Sequence, residues 1–249
     1  CSRTHRLLRL LLHGCRLLAV MPSEVAAGQN PEVIWQYTSP LIKLADAPRH
    51  GWQPVAKRIL DVLLATVGLI ALAPLLTVTA LAIKLDSRGP ACFRHRRVGL
   101  GGRPFDCLKF RSMRQDAEAI LTADDDLRAA YRAHGYRLPD HLEHRVTRVG
   151  RLLRRTSLDE LPQLVNVLRG EMSLVGPRPV IAEEIAHYAG SERLFLSMRP
   201  GMTGAWAVSG RHRVLYPLRA ELELGYVRTW SLWADAWILC RTLNAVLLR

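Results

Sequence analysis

The chain has 249 residues, 49% of them apolar and only 6% aromatic, which is enough for one large domain or for a domain plus an anchor. Its formal net charge of +13 comes from 35 Lys+Arg against 22 Asp+Glu, and it favours anionic partners: nucleic acid, an acidic lipid surface or phosphorylated small molecules. Cys1, Cys15, Cys92, Cys107 and Cys240 are odd in number, widely spaced and without a CxxC pair, which argues against a disulfide scaffold and a zinc ribbon and fits a reducing compartment.

Residues 1–54 stand apart. Cys1 to Val20 is rich in leucine and arginine and has no acid, and Pro22, Pro31, Pro40, Pro48 and Pro54 then interrupt any long element. Two readings fit the first twenty residues: a basic amphipathic helix lying on a membrane, and a poorly ordered extension. Arginine and histidine recur through the apolar part, unlike a signal peptide. A first residue that is Cys rather than Met fits a segment of a longer protein.

Ile59 to Ile83 is 25 residues with a single charge, Asp61, long enough to cross a bilayer core. Pro74 near its middle removes a backbone hydrogen bond. Both flanks are basic: Lys57 and Arg58 before, then Lys84, Arg88, Arg94, Arg96 and Arg97 after. Basic flanks belong on the cytoplasmic side, so the preferred reading over 55–89 is a re-entrant helix–break–helix hairpin bent at Pro74, with a straight span as the alternative. Asp61 is expected to pair with Arg58.

Past Pro90 the composition is that of a soluble domain. "CFRHRRVGLGGRPFDCLKFRSM" reads as strand, glycine-rich turn and strand. Gly99, Gly101 and Gly102 lack the strand–turn–helix setting of a dinucleotide fingerprint. Residues 113–134 read as helical and 135–140 as a loop. His134, His141 and His144, with no cysteine close in sequence, read as surface or loop histidines rather than a metal site. At the end of the chain Trp230, Trp233 and Trp237 recur at helical spacing, which fits either core packing or a helix in the headgroup region.

The chemistry concentrates in "RRTSLDELPQ", residues 154–163. Five arginines and no acid lie between Arg145 and Arg155, and the acids Asp159 and Glu160 follow directly. Ser157 to Glu160 matches a capping box. Pro162 offers the other reading, in which the helix starts near Leu161 and the acids occupy the turn before it. The arginines are expected to depress the Asp159 pKa if they are close in space. An ionised carboxylate amid phosphates calls for a divalent ion to relieve repulsion, and Mg²⁺ on Asp159 and Glu160 is the natural candidate. In "GEMSLVGPRPV" the prolines around Arg178 fix a rigid turn that would aim its guanidinium at phosphate.

"KFRSM" (109–113), "RVTRVGRLLRRTSLDELPQLVNVLRGEMSLVGPRP" (145–179) and "RPGMTGAWAVSGR" (199–211) together resemble the bacterial sugar transferases, the monotopic phosphoglycosyl transferases that start polysaccharide assembly on a polyprenyl-phosphate carrier. The match runs from about Lys57 to the C-terminus. The order of motifs is most similar to members that begin exopolysaccharide with galactose phosphate on undecaprenyl phosphate.

The resemblance implies a mainly helical α+β fold: a variable extension over 1–54, a re-entrant membrane hairpin over 55–89, and a compact cytoplasmic catalytic domain with a small β-hairpin over 90–249. It implies that Asp159, assisted by Glu160, attacks the β-phosphate of UDP-galactose or UDP-glucose. UMP leaves, and polyprenyl phosphate then takes the phosphosugar from the aspartate. Arg154, Arg155, Arg178, Lys109 and Arg111 are the implied phosphate and substrate ligands. Asp159 and Glu160 are the implied Mg²⁺ ligands, and Pro74 the implied membrane bend. The family's Ser-Pro break is Ala73-Pro74 here, without the serine hydroxyl. The expected location is the bacterial inner membrane, with the active site on the cytoplasmic face and an anionic lipid surface as partner. A nucleic-acid binder would share the charge but not the apolar run or the acid pair. The alternative function is a membrane-anchored, inactive regulator of the same fold.

Overall fold

The computed structural model of the protein describes residues 51–136, 138–139, 141–188, 190–210 and 214–247, so the expectations for residues 1–50 lie outside the described residues. It is mainly helical with two small sheets.

Helix α1 (Gln53–Asp86) is 34 residues long, about 51 Å at 1.5 Å per residue. Pro54 sits in its first turn, where a missing N–H costs nothing. The helix continues through Pro74, so the expected helix–break–helix is one helix with an internal proline. It ends where Ser87 turns extended and Gly89 adopts φ +114. A side chain at Gly89 is strained by that φ, and its Cβ would come 2.2 Å from the Arg111 guanidinium.

Only Asp61, Ala65, Thr79 and Ile83 of α1 are buried. Ile59, Leu63, Val67, Ile70, Val78 and Leu81 are exposed. A core helix of a soluble protein would bury these residues, and an open apolar face of this length marks contact with something other than water.

The expected hairpin is present. Strands β1 (Cys92–Val98) and β2 (Pro104–Phe110) pair antiparallel, with Cys92 opposite Phe110 and Val98 opposite Pro104. Short helices α2 (Ala117–Ala123) and α3 (Asp125–Ala133) divide at Asp124, whose carboxylate caps α3 by accepting from the Leu127 N–H at 2.9 Å. Helix α4 (Arg148–Thr156) is capped by Thr147 through the Gly150 N–H. Helix α5 (Gln163–Arg169) follows a turn and ends at Gly170.

Strand β3 (Ser173–Val175) pairs parallel with β4 (Gly201–Thr203), a pairing that three-residue strands did not announce. Between them lie a 3₁₀ segment (Ala182–Tyr188) and the short α6 (Glu192–Phe195). The single turn α7 (Ala205–Val208), α8 (Leu218–Thr229) and α9 (Leu232–Leu247) complete the chain.

The core is a series of linked clusters. Ala65 of α1 packs with Phe105 and Cys107 of β2, Leu164 and Val167 of α5, and Met172. Ile83 of α1 packs with Phe110 and Leu153. A third cluster joins Val175 to Tyr226, Val227, Trp230 and Ile238. Both ends of α1 are also tied to this body by polar contacts. Near the N-terminus Lys57 donates to Asp235 at 2.6 Å and to the Val175 carbonyl at 3.0 Å. Asp61 does not pair with Arg58: it accepts the Leu174 N–H, while Arg58 caps α5 through the Val167 and Leu168 carbonyls. A buried carboxylate is satisfied by the fixed N–H of β3, and the arginine by the orphan carbonyls of a helix end.

At the other end Arg111 departs from its expected role as a phosphate ligand. Its guanidinium is buried and donates to the carbonyls of Ser87 at 2.6 Å and Arg88 at 2.7 Å, and to Ser87 Oγ at 2.9 Å. It caps the α1 C-terminus, where the helix dipole favours a cation. Arg111→Met should therefore destabilise the fold by about 1.5–3 kcal/mol, the value of charged hydrogen bonds lost, while leaving substrate KM near wild type below the melting range. Thermal unfolding and steady-state kinetics check this; an unchanged melting point with a raised KM would restore the phosphate role.

The tryptophan stripe is also not a single face. Trp230 lies between helices with ψ 136 and is buried, Trp237 packs partly into the core beneath the Arg241 guanidinium, and only Trp233 is open, at 67% exposure.

Candidate active site

Ser157 closes α4 in a left-handed conformation, φ 60, and the chain turns through a 3₁₀ segment, Leu158–Glu160, before Pro162 opens α5. The acids thus lie in the turn ahead of the helix, and the capping-box reading fails because Ser157 belongs to the end of the preceding helix. Two anchors fix this turn. Leu164 and Val167 are buried against α1 and β2. Asn166, fully buried, holds the β2 backbone by accepting from the Leu108 N–H at 2.9 Å and donating to the Asp106 carbonyl at 2.8 Å.

Strand β2 then carries Lys109 to Glu160, with Nζ to Oε1 3.0 Å. Asp159 is half-buried. Burial first, and the Glu160 charge second, push its carboxyl up to about 6, against the pull of Lys109 and Arg154. The expected depression does not occur, because the arginines of the run are directed elsewhere by α4 and by the loop before it. Arg148, Arg151 and Arg155 fall on the exposed face of α4. Arg145 is buried against Glu143 at 2.8 Å. Arg154 donates to Ser112 Oγ at 3.0 Å and lies 3.8 Å from Glu143, so it reaches Asp159 only through space. A carboxylate with a pKa near 6 is largely ionised at neutral pH and is a stronger nucleophile than a depressed one.

The Gly176–Pro177–Arg178–Pro179 turn is rigid, as the prolines require. Gly176 donates to the Thr203 carbonyl at 2.9 Å, and Gly201 donates to the Pro177 carbonyl at 2.8 Å. A Cβ on Gly176 would meet the Arg199 carbonyl at 2.5 Å, so only glycine permits this approach. Arg178 lies over the Trp206 ring, 5.7 Å from its centroid. Burial alone would lower its pKa, but the charges of Glu184, Tyr216, Glu223 and Glu160 hold it raised. Arg178 and Glu160 are therefore within electrostatic reach of each other.

The hairpin adds His95, which local sequence did not single out. His95 is pushed down to about 3 by burial and by Arg97, Lys109 and Arg178, so it is neutral, and it lies 3.1 Å from an Arg97 nitrogen. Behind Arg178 is a buried polar group also missed in the sequence. Glu184 accepts from Arg97 at 3.2 Å, from the Tyr216 hydroxyl at 3.0 Å and from the Ile181 N–H at 3.2 Å. Glu223 accepts from the Tyr188 hydroxyl and the Arg178 N–H, and burial pushes it up to about 7. No local pattern marks either acid, because their partners come from distant segments.

Thus Asp159, Glu160 and Lys109 come together, with Arg178 within electrostatic reach of Glu160 and Arg154 within that of Asp159. Arg155 is on the exposed face of α4, and Arg111 is committed to α1. Among the described residues no cluster of three metal-ligating side chains occurs, and His134, His141 and His144 are exposed as expected.

A family model described as bacterial sugar transferase matches residues 52–249. The chain is 39% identical over 255 residues to the UDP-galactose-lipid carrier transferase of Erwinia amylovora, covering 100% of this chain and 53% of that protein. It is 43% identical over 195 residues to the exopolysaccharide production protein ExoY of Sinorhizobium fredii, covering 78% and 86% respectively. It is 44% identical over 201 residues to the UDP-glucose:undecaprenyl-phosphate glucose-1-phosphate transferase of Caulobacter vibrioides, covering 77% and 69%. The chain spans about half the length of the Erwinia amylovora relative.

Proposed function

Because the chain belongs to the bacterial sugar transferase family, we propose that it transfers a sugar 1-phosphate from UDP-galactose or UDP-glucose to a polyprenyl phosphate such as undecaprenyl phosphate. This would be the first membrane step of exopolysaccharide or another surface glycan. The observation that carries the reading is the half-buried Asp159, beside Glu160 and within electrostatic reach of Lys109 and Arg154.

Asp159 attacks the β-phosphorus of the nucleotide sugar. The bond from that phosphorus to the UMP oxygen breaks, and UMP leaves with the electron pair. An oxygen of the polyprenyl phosphate then attacks the same phosphorus and Asp159 departs as a carboxylate, which is ordinary two-step nucleophilic catalysis. Lys109 holds Glu160 in place, and Arg178 grips phosphate. The acid pair suits Mg²⁺: Glu160 repels charge on Asp159, a repulsion that a bound dication would relieve. Asp159 and Glu160 would hold the ion, which when bound withdraws charge from the phosphates. Screening UDP-galactose and UDP-glucose with polyprenyl phosphate in detergent, reading UMP release, tests the reaction; no UMP from any UDP-sugar would refute it.

Arg178→Lys should lower kcat/KM by about tenfold or more, since a point charge cannot replace a fork that binds two phosphate oxygens. Wild-type kinetics would contradict this role.

Helix α1 is proposed to sit in one leaflet of the inner membrane, on its cytoplasmic side. Leu60, Leu63, Leu64, Leu75 and Leu81 face outward, while Lys57 at one end and Ser87 at the other bind the same body. A transverse span would have to draw that body into the bilayer with it. The soluble nucleotide sugar and the lipid phosphate then meet at the headgroup level. Trp52→Cys and Arg88→Cys, each in a background without native cysteines, should both label from the cytoplasm; periplasmic labelling of residue 52 alone would establish a straight span.

A further inference from the structure

We propose that Glu223 is a positioning residue for the phosphate-binding arginine: it grips Arg178 by the backbone and so leaves the guanidinium fork available to substrate. This rests on the reading of Arg178 as a phosphate ligand.

In Pro177–Arg178–Pro179 the two prolines have no N–H, so the Arg178 N–H is the single backbone donor of these three residues. That donor goes to Glu223 Oε1 at 3.2 Å. The second carboxylate oxygen accepts from the Tyr188 hydroxyl, which fixes the carboxylate plane. Glu223 is itself buried on α8, 1% exposed.

The turn is held from its other side by the Gly201 N–H on the Pro177 carbonyl, 2.8 Å. Glu223 thus supplies the opposing anchor, and the two together set the direction in which Arg178 leaves the backbone. Among the described residues no carboxylate forms an ion pair with the Arg178 fork; Glu184 goes instead to Arg97, 3.2 Å away. An acid placed against the guanidinium would compete with phosphate for the same N–H groups. An acid placed against the backbone gives position without that competition. The groups facing Glu223 are Arg178, Tyr188, Tyr216 and Arg219.

The test compares Glu223→Met with Glu223→Gln, the second of which retains an acceptor for the Arg178 N–H. The full chain is assayed in detergent with polyprenyl phosphate, using UDP-galactose and UDP-glucose, and UMP binding is measured separately as the product common to both sugars. Glu223→Met should raise the KM for the nucleotide sugar and the Kd for UMP about tenfold or more, with kcat at saturation within about threefold and the phosphosugar adduct on Asp159 still forming. Glu223→Gln should recover most of the lost affinity. If Glu223→Met fails to fold, Tyr188→Phe, which releases one side of the carboxylate, should raise KM severalfold in the same direction. Unchanged KM and UMP affinity in the folded Met variant, or in Tyr188→Phe where Met does not fold, would overturn the inference. So would a fall in kcat alone. Absence of the adduct in the unmodified chain would instead refute covalent catalysis by Asp159 and leave the UMP-binding comparison standing.

Discussion

Asp159→Asn is expected to lower turnover by about four orders of magnitude or more, the loss typical when a covalent nucleophile is removed. The amide keeps the shape of the turn, so melting behaviour and UMP affinity should change little. The same assignment predicts a pH dependence. Burial and Glu160 hold the Asp159 carboxyl at about 6, and only the ionised form attacks. Activity should therefore fall as pH drops through about 6 and level off above it, with kcat/KM reporting the unliganded enzyme. Glu160→Gln removes one cause of the elevation, so the acid limb should move to lower pH even as the rate falls. Rate measurements from pH 5 to 8 on both variants check this; an Asp159→Asn protein with more than a few per cent of wild-type turnover would reject the nucleophile.

Glu184→Ala is expected to be the most damaging change to stability. The side chain is fully buried, and it accepts from Arg97, Tyr216 and the Ile181 backbone, with Arg219 at 4.0 Å. Its removal leaves Arg97 and Arg219, 8% and 2% exposed, without their shared counter-charge. Breaking a buried pair from one side costs about 3–5 kcal/mol, a large share of a typical total of about 5–15 kcal/mol. At about 2–4 °C per kcal/mol for a chain of this size, the melting point should fall by roughly 6–20 °C. Glu184→Gln retains an acceptor for the Tyr216 hydroxyl and should lose less. Melting of the alanine variant within about 1 °C of wild type would show that the buried acid is not needed for stability.

What the sequence made legible was local. The hairpin over 92–110 announces itself by two strand-like runs around a glycine turn, and the acid pair by Pro162, which fixes where α5 begins. Pro177 and Pro179 dictate a rigid turn wherever it is placed. What escaped was set by distant partners. Arg111 has the right motif for phosphate, but the carbonyls 23 and 24 residues before it claim its guanidinium. The arginine run looked like one charge cloud, yet Arg145 lies before α4 and pairs Glu143, while the helix turns Arg148, Arg151 and Arg155 outward and Arg154 toward Ser112. Trp230, Trp233 and Trp237 have helical spacing, but the chain leaves the helical conformation at Trp230 and no common face results. Glu184 and Glu223 are ordinary acids in ordinary helical surroundings until tertiary packing closes over them. Pro74 was read as a break, whereas helix α1 runs past it.

In the proposed reaction the Asp159 carboxylate carries the phosphosugar between donor and acceptor. Intact-protein and peptide mass spectrometry after incubation with UDP-galactose or UDP-glucose, with polyprenyl phosphate withheld, tests it most directly. The prediction is a mass gain of one phosphohexose on the peptide bearing Asp159, with an equal amount of UMP released and the adduct lost when polyprenyl phosphate is added. UMP released only together with the acceptor, with no adduct on Asp159 at any time, would contradict it.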